Sequence, residues 1–366
     1  MSRIQSDKGQ ARHVTRRTFL RHAGTGAVVA GVVASELSFP AVLRAQKAPL
    51  VVCGWGGTTT AAQREVYFRP FEQATGIKVV EASPTNYPKL KAMVDSGNVE
   101  WDVVDTADRM IFSGIRENLF DRLNPKAVDT SKIDPRYVID HAVGHKAWST
   151  LLSYSTRKYN SANHPKSWAE LYDVAKFPAV RSLRSAAFDN LEIALMADGV
   201  PFDKIYPIDV DRAFRVMARI KSHVKVWWQV DAQPVQLLTD GEIDLTTLSA
   251  ARIIALRDKD GAKADCEWNQ GIVHMDWWTI PRGAKNKEAA MQFINFAIGA
   301  KPQAAMANLI PFGPTNRDAL PLVKPEVLKN LPTSPENLKR QLVSDRNWWG
   351  EHLTKVEERM KGWLLS

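Results

Sequence analysis

"PLVVCGWGGTTTAAQREVYFRPFEQATGIKVVEAS", residues 49–83, holds the pattern that decides the fold. A short apolar run comes first, as expected for a buried strand. Residues 59–74 then place Tyr67, Phe68 and Phe71 on one face of a helix, which a glycine ends. A second apolar run follows. A strand, a helix and another strand in this order predict an α/β layer architecture with a largely parallel sheet.

The same alternation continues along the chain. Further strands are predicted at 101–106, 150–155, 182–188, 224–230, 243–248 and 275–281, and further helices at 87–97, 107–118, 167–174, 190–199, 209–222, 285–299 and 345–365. No segment after the first 46 residues reaches the length of a transmembrane helix. A second α/β section begins near Leu151 and ends near Val273, so the pattern predicts two lobes.

The first 46 residues have the features of an export signal. Arg16 and Arg17 precede an apolar stretch, 23–39, that is interrupted by small and charged residues. The paired arginines are typical of the twin-arginine type, which acts as an address rather than as an anchor. We therefore assign 1–46 to a twin-arginine-type signal peptide, with cleavage near Ala45, and we expect the mature protein in the periplasm.

Composition excludes several classes of protein. The 366-residue chain has a net charge of +9, which falls to +4 without the predicted signal because 42 basic and 38 acidic residues remain. A small charge spread along the chain does not predict binding to nucleic acid. Cys53 and Cys266 stand 213 positions apart, and we expect two separate thiols, although the periplasm would permit a disulfide.

Motifs for metals, cofactors and catalysis are absent from the sequence. It contains no CxxC or HExxH spacing, so we predict no metal and no other cofactor. It also contains no GxSxG nucleophile motif. We therefore predict no catalytic residue and a binding protein. An exported enzyme that uses His274 and Asp276 as an acid and base is the remote alternative.

"HMDWW", residues 274–278, surrounds Asp276 with aromatic side chains. Three interpretations are open at this point. Asp276 is a solvated residue or an ion-pair partner of Arg282, a general base, or the acid in a cage for a small cation. An ammonium group between aromatic faces and a carboxylate gains cation–π attraction and charge-assisted hydrogen bonds.

Trp55 and Thr58 follow the first predicted strand, in "GWGGTTT". Ligands of open α/β sheets bind beyond the strand ends, where loops and helix starts converge. Trp55 is therefore either a stacking face for a ligand or a cap on the core. The turn with Thr58 offers N–H groups and hydroxyls that suit a carboxylate or phosphate, so it does not fix the sign of the ligand's charge.

Five segments resemble, in order and spacing, the periplasmic solute-binding proteins of ABC importers, particularly the spermidine/putrescine-binding branch. They are 54–80, 164–173, 237–253, 275–299 and 311–320. The resemblance implies a type II-like fold: two α/β lobes with mixed sheets flanked by helices, joined by crossing strands, with a ligand cleft between them. It also implies a monomer whose closed form is recognised by a membrane permease.

The resemblance divides the mature chain into three parts. Lobe 1 is expected to hold 48–150 and 276–320, and lobe 2 is expected to hold 151–275. Residues 321–366 form a C-terminal helical segment that packs on either lobe.

The resemblance also implies roles for individual side chains. Asp276 would receive an ammonium group of a polyamine, and Trp55 would stack on the ligand. Asp189 would hold the second amine, with Glu192 as the alternative after a small shift of register, although an Asp before a helix is also a common N-cap. Asp105 would face the cleft, and we prefer it to the nearby Asp108.

Three positions depart from the polyamine pattern. His274 stands where a Trp is usual, Ser249 replaces an aromatic residue, and Phe312 lacks the tyrosine hydroxyl. Fewer aromatic walls keep an alternative ligand open: a betaine, an amino-acid-like zwitterion, a carboxylate or a phosphonate. Arg109 and Arg252 would then complement an anion, together with His274. The predicted ligand-binding residues are Trp55, Thr58, Asp105, Asp189, Ser249, His274, Asp276 and Phe312.

Overall fold

A mixed β-sheet flanked by helices runs through the protein. We describe residues 48–258 and 261–366 from a computed structural model, and the predicted signal peptide lies outside these residues. The strands are β1 Leu50–Cys53, β2 Val79–Ala82, β3 Val103–Ala107, β4 Val138–Ile139, β5 Ala142–Ser155, β6 Arg181–Arg184, β7 Val224–Trp228, β8 Leu245–Ser249, β9 Ala264–Thr279, β10 Gly313–Pro314 and β11 Leu342–Val343.

Helices cover both faces of this sheet. They are α1 Gly57–Gln63, α2 Arg69–Thr75, α3 Tyr87–Ser96, α4 Asp108–Arg116, α5 Trp168–Tyr172, α6 Asn190–Ala197, α7 Val210–Ala218, α8 Ala232–Asp240, α9 Ala250–Asp258, α10 Lys287–Ala297, α11 Ala300–Leu309, α12 Pro325–Leu328, α13 Pro335–Leu338 and α14 Arg346–Leu365. A π-helical turn, Arg64–Phe68, joins α1 to α2. None of the helices that the structure describes combines the length and the apolar character needed to cross a bilayer.

The strand order is β2-β1-β3-β9-β5-β8-β6-β7. At one end β1 pairs in parallel with β2 and β3, and at the other end β6 pairs in parallel with β7 and β8. The long strands β5 and β9 are antiparallel to each other and join these two parallel groups. The predicted α/β fold with mixed strands is confirmed. The central antiparallel pair explains why the sheet as a whole is not mainly parallel.

Two large apolar cores lie along this sheet. One contains Phe71, Trp278 and Phe293, whose rings meet edge to face, and the other contains Trp168 and Trp349. Complete burial of one such large side chain stabilises a fold by about 1.5–3 kcal/mol. Strands β5 and β9 contribute residues to both cores. The predicted lobe boundaries at 150/151 and 275/276 fall inside these two continuous strands.

The C-terminal helix α14 contacts elements on both sides of the sheet. The Gly350 carbonyl accepts a hydrogen bond from Ser113 Oγ of α4 at 3.0 Å, and a Cβ at Gly350 would lie 2.1 Å from Phe112 Cβ. On its other side, Trp349 Nε1 donates to Glu192 Oε1 at 2.6 Å. The sequence left open which lobe this segment contacts. In the structure it contacts both α4 and α6.

Cys53 and Cys266 are free thiols, as expected. Cys53 is buried on β1, where its Sγ lies 3.8 Å from Thr85 Oγ1. Burial raises the pKa of Cys53 to about 11 and also raises the pKa of Cys266. Both thiols are therefore protonated at neutral pH.

Candidate functional site

A cavity of about 1030 Å³ opens where several strands end and the following helices begin. Five of the eight predicted site residues line it: Trp55, Thr58, Ser249, Asp276 and Phe312. The other three, Asp105, Asp189 and His274, are buried behind its wall.

Trp55 reaches the cavity because the chain turns sharply after β1. Gly56 and Gly57 have φ angles of 85° and 57°, in the left-handed region that favours glycine. Gly56 N donates to Thr60 Oγ1 at 2.9 Å, which fixes the turn into α1. The Nε1 of Trp55 is buried without a hydrogen-bond partner among the residues described. Trp55 thus lines the cavity, while its indole N–H is buried.

Asp276 lies on β9 and makes a buried ion pair. Its Oδ2 accepts a hydrogen bond from Lys146 Nζ at 3.0 Å, and its Oδ1 accepts one from Trp148 Nε1 at 3.1 Å. Only 7% of the side chain is exposed. The ion-pair interpretation is therefore partly right, but the partner is Lys146 rather than Arg282.

A β-bulge brings Lys146 to this acid. The pairing of β5 with β9 shifts register between Gly144 and Lys146, which leaves His145 as an extra residue. Successive side chains of a regular strand point to opposite faces, whereas a bulge redirects them. His145 and Lys146 consequently reach the same carboxylate, that of Asp105.

Asp105 is the buried centre of this group. Its oxygens accept hydrogen bonds from Lys146 Nζ, from His145 Nε2 at 3.1 Å and from Gln63 Nε2 at 2.8 Å. Burial alone would raise the pKa of Asp105, but the charge of Lys146 and the hydrogen bonds from Lys146 and His145 hold it well below its usual value. Asp105 therefore does not face the cavity as predicted. It lies behind Lys146 and binds the ammonium group of that lysine.

Asp189 and His274 pair with each other beside the cavity. His274 Nε2 lies 2.7 Å from Asp189 Oδ1, and Thr150 Oγ1 donates to Asp189 Oδ2 at 2.9 Å. The His274 ring is packed between Trp148 and Phe188, at 4.3 and 4.6 Å. Asp189 precedes α6 with a φ of 72°, and its side chain does not cap that helix. The structure thus brings neither Asp189 nor His274 into the cavity.

Glu192, the register alternative, is also buried. Its Oε1 accepts hydrogen bonds from Trp349 Nε1 at 2.6 Å and from Tyr206 OH at 2.7 Å. Burial, together with the nearby charge of Asp189, raises the pKa of Glu192 to about 7. Neither residue predicted for a second ligand amine therefore contributes a carboxylate to the cavity wall.

Arg109 and Arg252 are two of the arginines that line the cavity. Among the residues that the structure describes, neither Arg109 nor Arg252 has a carboxylate oxygen within 4.0 Å. The Arg109 guanidinium lies over the rings of Phe188 and Trp55, 5.3 and 6.0 Å from their centroids. Burial and the nearby Arg184 lower the pKa of Arg109. A partly desolvated guanidinium group such as that of Arg109 is suited to a carboxylate.

Lys146, Trp148 and Arg184 line the cavity but were missed in the sequence. Lys146 and Trp148 are two residues apart on β5, so strand periodicity could have placed them on one face. The bulge that aims Lys146 at Asp105 has no signal in the sequence. Arg184 ends β6, and its Nη2 lies 3.2 Å from Asp231 Oδ1.

Comparison with known proteins shows which chains share these features. The gamma-aminobutyric acid-binding protein of Pseudomonas aeruginosa is 35% identical over 334 residues, covering 89% of this chain and 94% of its own. The spermidine/putrescine-binding periplasmic protein of Escherichia coli K12 is 24% identical and covers 73% of this chain and 78% of its own. These relatives are binding proteins rather than enzymes.

Solved structures agree with this result. A gamma-aminobutyric acid (GABA) receptor shares 38% identity and a TM-score of 0.80, over 86% of this chain and 97% of its own. An ABC transporter substrate-binding protein from Bradyrhizobium japonicum shares 35% identity and a TM-score of 0.82, over 86% and 99%. The family model for bacterial extracellular solute-binding proteins matches residues 67–335. The chain therefore belongs to the bacterial extracellular solute-binding proteins, the family whose members deliver small molecules to ABC importers.

Proposed function

We propose that the protein captures a small amino-acid-like zwitterion, with one ammonium and one carboxylate group, and delivers it to an ABC permease. The observation that carries this proposal is the charge distribution of the cavity wall. Asp276 presents a carboxylate at one place, while Arg109 and Arg252 present guanidinium groups without a carboxylate partner in the described part of the chain. A zwitterion complements both.

The overall charge of the wall favours a ligand with a carboxylate. Among residues 48–258 and 261–366, six basic side chains line the cavity: Arg109, Lys146, Arg184, Arg252, Arg257 and Lys329. Four acidic side chains from the same ranges line it: Asp231, Asp258, Asp276 and Glu326. A dication would enter a wall with a basic excess, and close like charges weaken binding. A carboxylate on the ligand offsets that excess.

We assign the ammonium end of the ligand to the neighbourhood of Asp276. Each carboxylate oxygen has two lone pairs, so the hydrogen bonds from Lys146 and Trp148 leave acceptor capacity free. The rings of Trp55, Trp148 and Phe312 line the same cavity. One ammonium group would thus find both an acid and aromatic faces there.

The relatives' names support an amino-acid-like ligand over a polyamine. The two relatives named for gamma-aminobutyric acid are 35% and 38% identical to this chain, compared with 24% for the spermidine/putrescine-binding protein. The geometry points the same way, because Asp189, predicted to hold a second amine, is paired with His274 away from the cavity. We therefore favour the zwitterion and propose that the protein acts as a monomer in the periplasm.

Calorimetric titration of the mature protein with GABA and putrescine tests the proposal, because both ligands have four carbons and one ammonium end in common. We expect GABA to bind at least tenfold more tightly. Arg109→Met and Arg252→Met should each raise the Kd for GABA tenfold or more, since a hydrogen bond to a charged group contributes about 1.5–3 kcal/mol. Asp276→Asn should weaken GABA by a similar factor.

Lys225→Met is the matched control, since its exposed pair with Glu242 lies outside the cavity lining. It removes one positive charge and should leave the Kd for GABA within twofold of the unmodified protein. Tighter binding of putrescine than of GABA would contradict the proposal. So would unchanged GABA affinity in both arginine variants.

A further inference from the structure

We propose that Lys146 is a built-in occupant of an ammonium site and thereby the residue that excludes diamines and polyamines from the cavity. Its ε-ammonium has the surroundings that the sequence predicted for a ligand amine, namely an acid and an aromatic face. The inference that the accepted ligand carries a single ammonium rests on the proposed function. The occupancy of the site by Lys146 stands on geometry alone.

The contacts of Lys146 are those of a bound amine. Its Nζ donates to Asp276 Oδ2 at 3.0 Å and to Asp105 Oδ2, and it lies 5.6 Å from the centroid of the Phe312 ring. The side chain lines the cavity, yet only 2% of it is exposed. Two carboxylates and one ring therefore enclose the end of a four-carbon chain that the protein itself supplies.

The charge count explains the selection. Asp105 and Asp276 together carry two negative charges, and Lys146 neutralises one of them. His145 adds no positive charge at neutral pH, because burial and the adjacent Lys146 lower its pKa. The cluster thus retains one negative charge, enough for one ammonium group of a ligand. The second ammonium of a diamine would meet Lys146 itself or the guanidinium groups of Arg109 and Arg252.

Lys146→Ala tests this inference by opening the site. Truncation removes three methylene groups and the ammonium group, and it leaves a channel beside two carboxylates that the ammonium end of n-butylamine can enter. We expect n-butylamine and putrescine to bind Lys146→Ala at least tenfold more tightly than the unmodified protein, measured by calorimetry at pH 7. Butan-1-ol, which has the same shape without the charge, should show no gain.

Lys225→Ala is the matched variant, because it removes a lysine from an exposed ion pair outside the cavity lining. It should gain less than twofold for either amine. If Lys146→Ala is unfolded without ligand, circular dichroism should show folding that depends on n-butylamine. Asp105→Asn/Lys146→Ala, which removes both charges of the inner pair, provides a second background and should also gain affinity for amines.

Absence of an amine-dependent gain in both Lys146 variants, whether in affinity or in folding, would overturn the inference. An equal gain with butan-1-ol would also overturn it, since the site would then be an apolar hole. These outcomes are independent of the proposed function, which stands or falls with GABA binding to the unmodified protein. Amine gain without GABA binding would therefore support the role of Lys146 and reject the zwitterion.

Discussion

Two pairs of buried acids lie close to the cavity, and they differ in the groups that compensate their charges. Asp105 and Asp276 share the ammonium of Lys146, and the pKa of Asp105 is held well below its usual value. In the second pair, Asp189 is bound by His274, whereas Glu192 has only neutral donors and a pKa raised to about 7. The difference between the two pairs is Lys146, which contacts both acids of the first pair.

This difference shows why acids at corresponding places in a sequence pattern do not have corresponding roles. The lysine pairs with Asp276 at the cavity wall, where 7% of the Asp276 side chain remains exposed. Without a lysine, Glu192 is enclosed by Trp349 and Tyr206, and its pKa is raised to about 7. Burial of a carboxylate without a cation raises its pKa, and a close cation reverses that effect.

Removal of Asp105 should produce the largest loss of stability. Asp105→Ala leaves Lys146 with one carboxylate and removes the partner of His145, and breaking a buried ion pair costs about 3–5 kcal/mol. We expect the free energy of unfolding, measured with urea at pH 7, to fall by that amount. Glu81→Ala removes an exposed acid that pairs with Arg64 and should cost less than about 1 kcal/mol. Equal losses would contradict the central role of Asp105.

Glu192→Gln should remove a pH dependence from the second pair. The pKa of Glu192 in the folded protein, about 7, lies above its ordinary value of 4.5. The folded chain therefore binds this proton more tightly than the unfolded chain. Its contribution to stability is complete below pH 4.5 and is lost as the pH rises to about 7, with a loss of about 3 kcal/mol at most.

The measurement is the difference in the free energy of unfolding between Glu192→Gln and the unmodified protein at several pH values. Relative to the unmodified protein, the variant should become more stable as the pH rises from 4.5 to 7. Glu65→Gln, at an exposed residue that pairs loosely with Arg69, should show no such trend. A difference that does not change with pH would show that Glu192 is not protonated in the folded state.

Asp189→Asn should reduce stability less than the changes at Asp105 and Glu192. It should also show that the two acid pairs differ in their effect on ligand binding. Asn tolerates the positive φ of Asp189, but its amide accepts from only one of Thr150 and His274 where the carboxylate accepts from both. We expect a loss of about 2 kcal/mol in the free energy of unfolding. The Kd for GABA should change less than threefold, against tenfold for Asp276→Asn. A reversed order would place the ligand at Asp189.

The elements of the fold could be predicted because the apolar residues of each element are spaced with the period of a helix or a strand. The face of Tyr67, Phe68 and Phe71 and the repeat of Phe293 and Ile294 are visible without knowledge of the neighbours. The pattern of predicted strands, the turn after β1 and the family resemblance together predicted that Trp55 and Asp276 lie near a cavity. Each of these expectations depends on residues close together in the chain.

The missing parts of the site depend on backbone details that pattern does not encode. Lys146 was overlooked because a single extra residue, His145, reorients β5 against β9. Asp189 was assigned to the ligand from the family resemblance, and neither its left-handed conformation nor its pairing with His274 has a sequence signature. The rings of Trp55 and Phe188 that lie beside Arg109 come from segments distant from it in the chain, so the sequence does not show this arrangement.

The smallest expected effect concerns the ring above Lys146, which the second acid pair lacks. Phe312→Leu removes the cation–π contact at 5.6 Å but also changes apolar packing, so the single variant does not isolate the contact. A double-mutant cycle with Lys146→Met does, because packing losses cancel when the two changes are combined. We expect a coupling of about 0.5–1 kcal/mol in the free energy of unfolding.

The matched cycle combines Phe312→Leu with Lys225→Met, whose lysine is outside the cavity lining, and should give a coupling near zero. Equal coupling in both cycles would mean that the ring senses overall charge. Coupling near zero in both would mean that the two carboxylates alone hold the ammonium. Coupling confined to Lys146 would show that the protein's own lysine uses the aromatic face as a bound amine does, which is what distinguishes the first acid pair from the second.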